Sequence, residues 1–390
     1  MEFRFPLRQH VGAPCVPIVE VGKEVKRGER IAEPNGLGAN IHSSVNGKVI
    51  AVNENEIIIE ADENQPKDYL PIKDTSDPLE AIMEAGIVGA GGAGFPTHVK
   101  LKTKIPGGYA IVNAAECEPI LGHNIQYIEE NAEKIISGLK IIMDITEAAH
   151  GFIAIKEKHR DAIDKLEAAI SDDNIQIKYL PDMYPAGDER VIVRELLGVE
   201  LKPGQLPGEA NAVIQNVETV KNIALAVEDR KPVIDKDVTV GGRVRNAKKG
   251  AVFMDVPLGY PVKKLIEKAG GYVEPHGEIV LGGPFTGRHG EEDDPVTKTL
   301  GGVLVAMPFP VDRRKFGILA CECGAQEPRL REIVEAMGGT VVAEEKCKRM
   351  QEVNGRYRCE LPGICPGQAT KVLNLKKQGA EVIIAGSCGD

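Results

Sequence analysis

Apolar and polar positions alternate with a period of two through roughly the first 65 residues, where VEVGKEVKRGERIAEP and IHSSVNGKVIAVNENEIIIEA are short strands broken by glycine turns. The pattern predicts a small β-barrel or sandwich. From Asp74 to about Asp229 short apolar runs alternate with helical periodicity. Strands are expected at 109–113 (YAIVN), 152–156 (FIAIK) and 175–180 (IQIKYL), and helices in PLEAIMEAG, KHRDAIDKLEAAI and DERVIVRELLG. Such alternation predicts a parallel sheet flanked by helices. Ligands of these sheets sit beyond the carboxyl ends of the strands, which places attention on Asn113 and the loop after Leu180.

The pattern changes again over about 236–290, where DVTVGGRV, GAVFMDVPLG and EIVLGGP are strands and PVKKLIEKAGG a helix. A small α+β unit of the β-grasp (SLBB-like) kind follows. Beyond a connector, FGILAC, RLREIVEAMGG, TVVAEE, QATKVLNLKKQG and AEVIIAGSC form a last α/β unit with cysteines at its strand ends. The expected fold class is therefore multidomain α/β. Its parts are an N-terminal barrel-sandwich hybrid (1–70), a central parallel-sheet ligand domain (71–232), a β-grasp domain with its connector (233–312) and a small Cys-rich α/β domain (313–390).

Composition narrows the function. The chain has 42% hydrophobic and 27% charged residues, so all of it should fold, and its formal net charge of −10 builds no basic face for nucleic acid. No apolar stretch approaches the roughly 18 residues of a bilayer span, and MEFRFPLRQH lacks the apolar core of a secretory signal. A cytoplasmic protein is expected. Six of the eight cysteines, Cys321, Cys323, Cys347, Cys359, Cys365 and Cys388, crowd the last unit. In a reducing compartment such a cluster points to metal binding or redox chemistry. The histidines form no zinc-hydrolase spacing, and no G-x-S-x-G elbow is present.

Gly89-Ala90-Gly91-Gly92-Ala93-Gly94 satisfies G-x-G-x-x-G, but the preceding segment is helical and Pro96 follows at once, which disfavours a dinucleotide fold of the strand–loop–helix kind. Its glycines still let backbone N–H groups approach a phosphate, with Lys100 as a nearby cation. Glu116 and Glu118 flank Cys117 at the end of an apolar strand and suit ribityl or ribose hydroxyls as acceptors. Tyr184 to Arg190 place a glycine and two acids at a helix start, and Ile214 to Thr219 make a fourth element.

Four motifs in order, G-x-G-G-A-G-F-P-T-x-x-K at 89–100, N-A-x-E-x-E-P at 113–119, Y-x-x-G-x-E at 184–189 and N-V-E-T at 216–219, resemble a family of flavoproteins. It comprises the NADH-binding subunit of respiratory complex I and the C subunit of the Rnf complex. The resemblance implies FMN contacts from Gly89, Gly91, Lys100, Asn113, Glu116, Tyr184, Gly187, Asp188, Gln215, Asn216 and Thr219. It further implies that Phe95 stacks on a nicotinamide cofactor, NADH, which Glu118 and Glu189 help orient. Ala90 and Ala115 replace an arginine and an aspartate of the complex I pattern, and Leu121-Gly122-His123-Asn124 replaces its usual continuation. The first segment also resembles lipoyl carrier domains, but Asn35 to Asn40 offer no carrier lysine, so a docking module is expected.

Similarity to the Rnf C subunit runs over roughly residues 1–310 and stops before its two C-x-x-C-x-x-C runs, which this chain lacks. A body of this kind with a different cysteine tail resembles the proline reductase-associated electron transfer family, which implies NADH as donor and D-proline reductase, or another reductase complex, as acceptor. In the tail two chemistries stay open. Cys323, Cys347, Cys359 and Cys365 could ligate an iron–sulfur cluster. Alternatively Cys321, Cys323 and Cys388 could carry thiol–disulfide exchange. Cys388-Gly389-Asp390 follows an apolar strand, and the resembled family implies continuation through a selenocysteine. The rival reading from another class is a non-catalytic docking subunit with a degenerate flavin fold.

Overall fold

The computed structural model of the chain describes residues 1–92 and 94–386. In the N-terminal segment the period-two pattern sorts side chains onto a shared interior. Glu2–Pro6, Glu56–Ala61, Gly47–Val52 and Glu24–Val25 form one antiparallel sheet in that order, and Cys15–Pro17, Arg30–Pro34 and Ile41–His42 form a second. Phe3, Phe5, Ile31, Ile41, Val49, Ile57 and Ile59 fill the space between them. This is the expected barrel-sandwich hybrid.

The central sheet is wholly parallel, ordered Ile175–Leu180, His150–Lys156, Tyr109–Ala114, Ala212–Asn216. Alternate strand residues serve opposite faces. Ala110, Val112, Ala114, Ile153 and Ile155 belong to the main core with helices His123–Thr146, Arg160–Ala169 and Val217–Glu228. Ile111, Phe152, Ala154 and Ile214 join a second core under helix Glu189–Leu197. The three strands expected from the sequence appear at their places. The long helix 123–146 and the strand 212–216 are additions, and the latter lies beside 109–114, not beyond 175–180. The winding therefore reverses between strands 109–114 and 212–216, and their carboxyl ends make the topological switch point.

The β-grasp expectation holds. Ala251–Pro257, Asp235–Gly242, Gly302–Val305, Ile279–Leu281 and Arg288–Gly290 form a mixed sheet, with the parallel pair at its centre and helix Val262–Lys268 packed on it. The tail has a three-stranded parallel sheet, Thr340–Lys346, Lys315–Ala320, Val382–Ala385, with helices Glu327–Ala336 and Ala369–Lys377. An unexpected hairpin, Met350–Val353 with Arg356–Cys359, turns on Asn354 and Gly355. Both residues have positive φ, 52° and 74°, as a two-residue hairpin turn requires. No described helix is long and apolar enough to cross a membrane.

His123 opens the long helix from inside the interface with the β-grasp sheet, only 4% exposed, with Nδ1 3.1 Å from Thr239 Oγ1. Burial lowers its pKa to about 4, with Glu116 and Asp237 opposing that shift and Lys236 and Lys221 adding to it. The unfolded chain binds this proton near the ordinary value of 6.5 and the folded chain does not, so stability falls as pH drops through this window. The contribution is roughly 2 kcal/mol by pH 5. Replacing His123 with Gln should remove most of that loss, measured as the difference between urea unfolding at pH 7.5 and pH 5.

Candidate functional site

At the switch point Asn113 and Asn216 are register partners at the ends of adjacent strands. Asn216 caps helix Val217–Glu228, its Oδ1 accepting from the N–H of Glu218 at 2.9 Å. The Gly-rich loop lies directly against this cap. The N–H of Ala90 donates to Thr219 Oγ1 at 3.0 Å, and a Cβ on Gly91 would meet Asn216 Nδ2 at 2.9 Å. Glycine at 91 is thus required by close approach, whereas Gly92 has open space where a side chain would be. The loop follows helix Pro78–Glu84 and leads into the single turn Thr97–Lys100, which confirms that it is no strand–loop–helix fingerprint.

Other predicted residues gather around the same strand ends. Asn113 Nδ2 donates to the carbonyl of Gly187 at 2.9 Å, and its Oδ1 accepts from Ala115 N–H. Glu116, held at a positive φ of 34°, accepts from the N–H of Asn124 at the start of the long helix. Asp188 caps helix Glu189–Leu197 through the N–H of Arg190, and burial pushes its carboxyl pKa up against the pull of Arg190. Lys100 Nζ donates to Glu189 Oε1 at 2.5 Å and to the carbonyl of Ile214 at 2.6 Å. The cation is therefore anchored to the sheet from below. Phe95 is 39% exposed at the loop's edge.

Glu118 reaches into the β-grasp unit. Its carboxylate accepts from the N–H groups of Phe285 and Thr286, at 2.9 and 3.1 Å, and from Thr286 Oγ1. A Cβ on Gly283 would collide with it at 2.2 Å. Both oxygens thus clasp the 283–286 loop of the β-grasp unit. The same loop places Phe285 edge-on against Tyr184, with ring centroids 4.5 Å apart.

A flavin phosphate and ribityl chain need donors at this place, and the residues present fit. Gln215, 3% exposed on the strand between Ile214 and Asn216, has its Nε2 buried with no partner. A buried amide donor without an acceptor costs roughly 1–3 kcal/mol, which a ligand oxygen would recover. The glycine loop adds N–H groups that need no side-chain clearance.

The tail docks on this site from the far side of helix Glu189–Leu197. Tyr184 Oη donates to the carbonyl of Cys323, Arg190 Nη1 to that of Cys359 at 2.6 Å, and Arg194 Nη1 to that of Pro362 at 2.8 Å. Arg190 also pairs with Glu322 at 3.2 Å, and Glu322 in turn accepts from the N–H of Cys359 and from Arg358. Sequence reading gave Arg190 only a place at a helix start and gave Glu322 no role. The one available signal was an acid between two cysteines.

The described cysteines of the tail gather at its strand ends. Among the described residues, no three His, Cys, Asp or Glu side chains form a group placed to hold a metal ion. Cys365 lies exposed, whereas Cys321, Cys347 and Cys359 are buried and Cys323 is half-buried. Contacts between thiols run in a chain: Cys321 engages Cys323 and Cys347, and Cys323 engages Cys359. Cys321 thus stands with Cys323, Cys347 and Cys359 of the expected set at neighbouring strand ends. Hydrogen bonds from Cys323 and Cys347 lower the Cys321 pKa to about 3, against burial, and Cys323 likewise lowers that of Cys359. Cys323 and Cys347 are raised by the same contacts. Gln368 Nε2 donates to Cys347 Sγ at 2.9 Å. Cys388 lies outside the described residues.

Residues 82–225 match the model of the Nuo51 FMN-binding domain, and residues 1–65 that of the RnfC barrel sandwich hybrid domain. The chain is 35% identical over 322 residues to the C subunit of the Na(+)-translocating ferredoxin:NAD(+) oxidoreductase complex of Acetobacterium woodii, spanning 77% of this chain and 72% of that protein. It is also 35% identical over 321 residues, 77% and 69% of the two chains, to the C subunit of the proton-translocating counterpart of Clostridium ljungdahlii. Cobalamin reductase PduS of Salmonella typhimurium is 42% identical over 227 residues, 58% of this chain and 49% of that one. An NAD+-reducing NiFe hydrogenase in its H2-reduced state shares the fold over 60% of this chain and 47% of its own, with a TM-score of 0.50 and 20% identity. Fold and site together define an FMN-binding electron-transfer oxidoreductase component. The chain belongs to the family of Rnf complex C subunits.

Replacing Arg190 with Ala should loosen the tail from the body. Losing a charge-assisted bond to Cys359 and the pair with Glu322 costs roughly 1.5–3 kcal/mol. Hydrogen exchange in 313–386 should quicken about 10- to 100-fold while strand 109–114 stays as protected as before.

Proposed function

We propose that the protein takes hydride from NADH into FMN and passes the electrons through its C-terminal thiols to a reductase, D-proline reductase being the acceptor. One observation carries this reading. Tyr184 and Arg190, from the motif that borders the flavin site, hydrogen-bond the main-chain carbonyls of Cys323 and Cys359, so the flavin domain and the thiol group share an interface. Flavin suits the task because it accepts a two-electron hydride and can release electrons singly.

The chain's own residues divide the work. The N–H groups of Gly91 and Gly92 and Nε2 of Gln215 bind phosphate and ribityl oxygens, while those of Gly89 and Ala90 brace the loop on Phe95 and Thr219, and Lys100 supplies positive charge from beneath the loop. Asn113, Glu116, Asn216 and Thr219 hold the loop and strand ends in place through the bonds described above. Phe95, exposed at the edge, is the surface on which a nicotinamide ring stacks. NADH as donor is supported by the NAD(+) named in the Rnf relatives. D-proline reductase is supported by the likeness of an Rnf-like body with this cysteine tail to the proline reductase-associated family.

Anaerobic protein reconstituted with FMN should be coloured, and NADH in a stopped-flow mixer should bleach the flavin band. Replacing Gln215 with Leu should weaken FMN retention about 10- to 100-fold, as removal of a buried donor predicts. Protein that stays colourless, or a flavin that neither NADH nor NADPH bleaches, would leave the docking-subunit reading in its place.

A further inference from the structure

Four tail cysteines meet at neighbouring strand ends, Cys321 and Cys323 in one turn after strand 315–320, Cys347 after strand 340–346 and Cys359 at the end of the hairpin, and their chain of contacts divides into two pairs. The first follows from strand register. Ala320 and Lys346 are partners in the parallel strands 315–320 and 340–346, and the N–H of Cys347 donates to the carbonyl of Ala320 at 2.9 Å. Cys321 and Cys347 are therefore the next neighbours across the ladder. Adjacent strands lie about 4.8 Å apart, within the Cα separation a disulfide spans. The second pair is built by the hairpin, which returns Cys359 to the turn after Cys321. There Glu322 accepts from the N–H of Cys359, and Cys323 engages the Cys359 thiol. The contact between Cys321 and Cys323 joins the two pairs.

The pairs face different surroundings. The carbonyls of Cys323 and Cys359 are bound by Tyr184 and Arg190, so this pair lies at the flavin domain. Cys347 lines a groove of about 490 Å³ with Glu345, Lys346, Tyr357 and Lys371, which gives the other pair access from outside.

We propose that these cysteines form a two-stage dithiol relay, with Cys323–Cys359 the inner pair at the flavin domain and Cys321–Cys347 the outer pair that reduces a partner's disulfide. The proposal rests on the flavin reading above and deepens it. Between the stages, Cys323 sulfur attacks Cys321 in the outer disulfide. The Cys321–Cys347 bond breaks, and Cys347 leaves as thiolate and takes a proton. Cys359 then attacks Cys323 of the mixed disulfide, closes the inner disulfide and releases Cys321. Two electrons and two protons pass from inner to outer pair. Reduced flavin, a two-electron donor, restores the inner dithiol, and the outer dithiol is reoxidised by the partner's disulfide, whose two sulfurs take up the electrons and protons.

The test begins with the full-length chain, with no flavin needed. After anaerobic oxidation with oxidised dithiothreitol, mass spectrometry of non-reduced peptides should find Cys321 joined to Cys347 and Cys323 to Cys359. Predominance of any other pairing of these four, or their persistence as free thiols, would overturn the relay. So would iron or zinc near one atom per chain that is released only when the four thiols are alkylated. The second arm uses flavin-loaded protein with Cys323 and Cys359 both replaced by Ser. Its Cys321–Cys347 disulfide should still form, but reduction by light-reduced flavin should slow at least about tenfold relative to the natural sequence. An unchanged rate would remove the inner stage. Because light replaces NADH, a failure of hydride transfer from NADH registers separately and counts against the proposed function alone.

Discussion

A buried charge cluster beneath the Gly-rich loop holds the site in register. Glu218, in the first turn of helix 217–228, takes Lys236 Nζ and the N–H of Asp237, while Lys221 one turn on bonds Asp237 at 2.8 Å and Asp255 at 3.0 Å. Side chains of Glu218, Lys236 and Asp237 are each 2% exposed. Taking such charges out of water costs several kcal/mol per ion, so the cluster is weak as a source of stability. Its effect is on alignment. Sliding the helix by one residue against strand 235–242 would bury unpaired charge, and the helix carries Asn216 and Thr219, on which the glycine loop rests. The flavin domain and the β-grasp unit are thereby fixed in one relation, which Glu118 repeats from the other side by clasping the 283–286 loop.

Helix 189–197 carries that alignment onward. Within its first turn Glu189 reaches Lys100 under the glycine loop, and Arg190 reaches Glu322 and Cys359 in the tail. Consecutive residues, about 100° apart around the same helix start, reach different neighbours, so the ligand site and the thiols are coupled through one rigid element. Tyr184, just before this turn, touches both the tail and Phe285 of the β-grasp unit.

Much of this was legible in the chain. Period-two runs such as EIIIEA and the apolar strand YAIVNA announced their sheets, because one buried face forces the alternation. The motifs around Gly91, Asn113 and Asn216 gave the site, since close approach of loop to cap excludes any larger residue at 91. What escaped was long-range. Nothing local tells that Glu118 turns to a loop some 167 residues away, or that Cys321 joins the thiol contacts while Cys365 lies exposed. The hairpin that delivers Cys359 was marked by Asn354-Gly355, a strong turn signal passed over because its strands are short and polar. The long helix from His123 was hidden by its buried polar start, His123 and Asn124, which face other parts of the protein.

On the side of the flavin domain the tail is gripped mostly by its backbone. Tyr184, Arg190 and Arg194 all donate to carbonyl oxygens, of Cys323, Cys359 and Pro362, and a carbonyl is the same whatever side chain it belongs to. Among the tail's side chains, Glu322 pairs with Arg190, and Arg329 pairs with Glu278 of the β-grasp unit. Such a socket is indifferent to most changes in the module it holds. The tail is free to diversify over evolutionary time, while the FMN-binding body and its socket stay as they are.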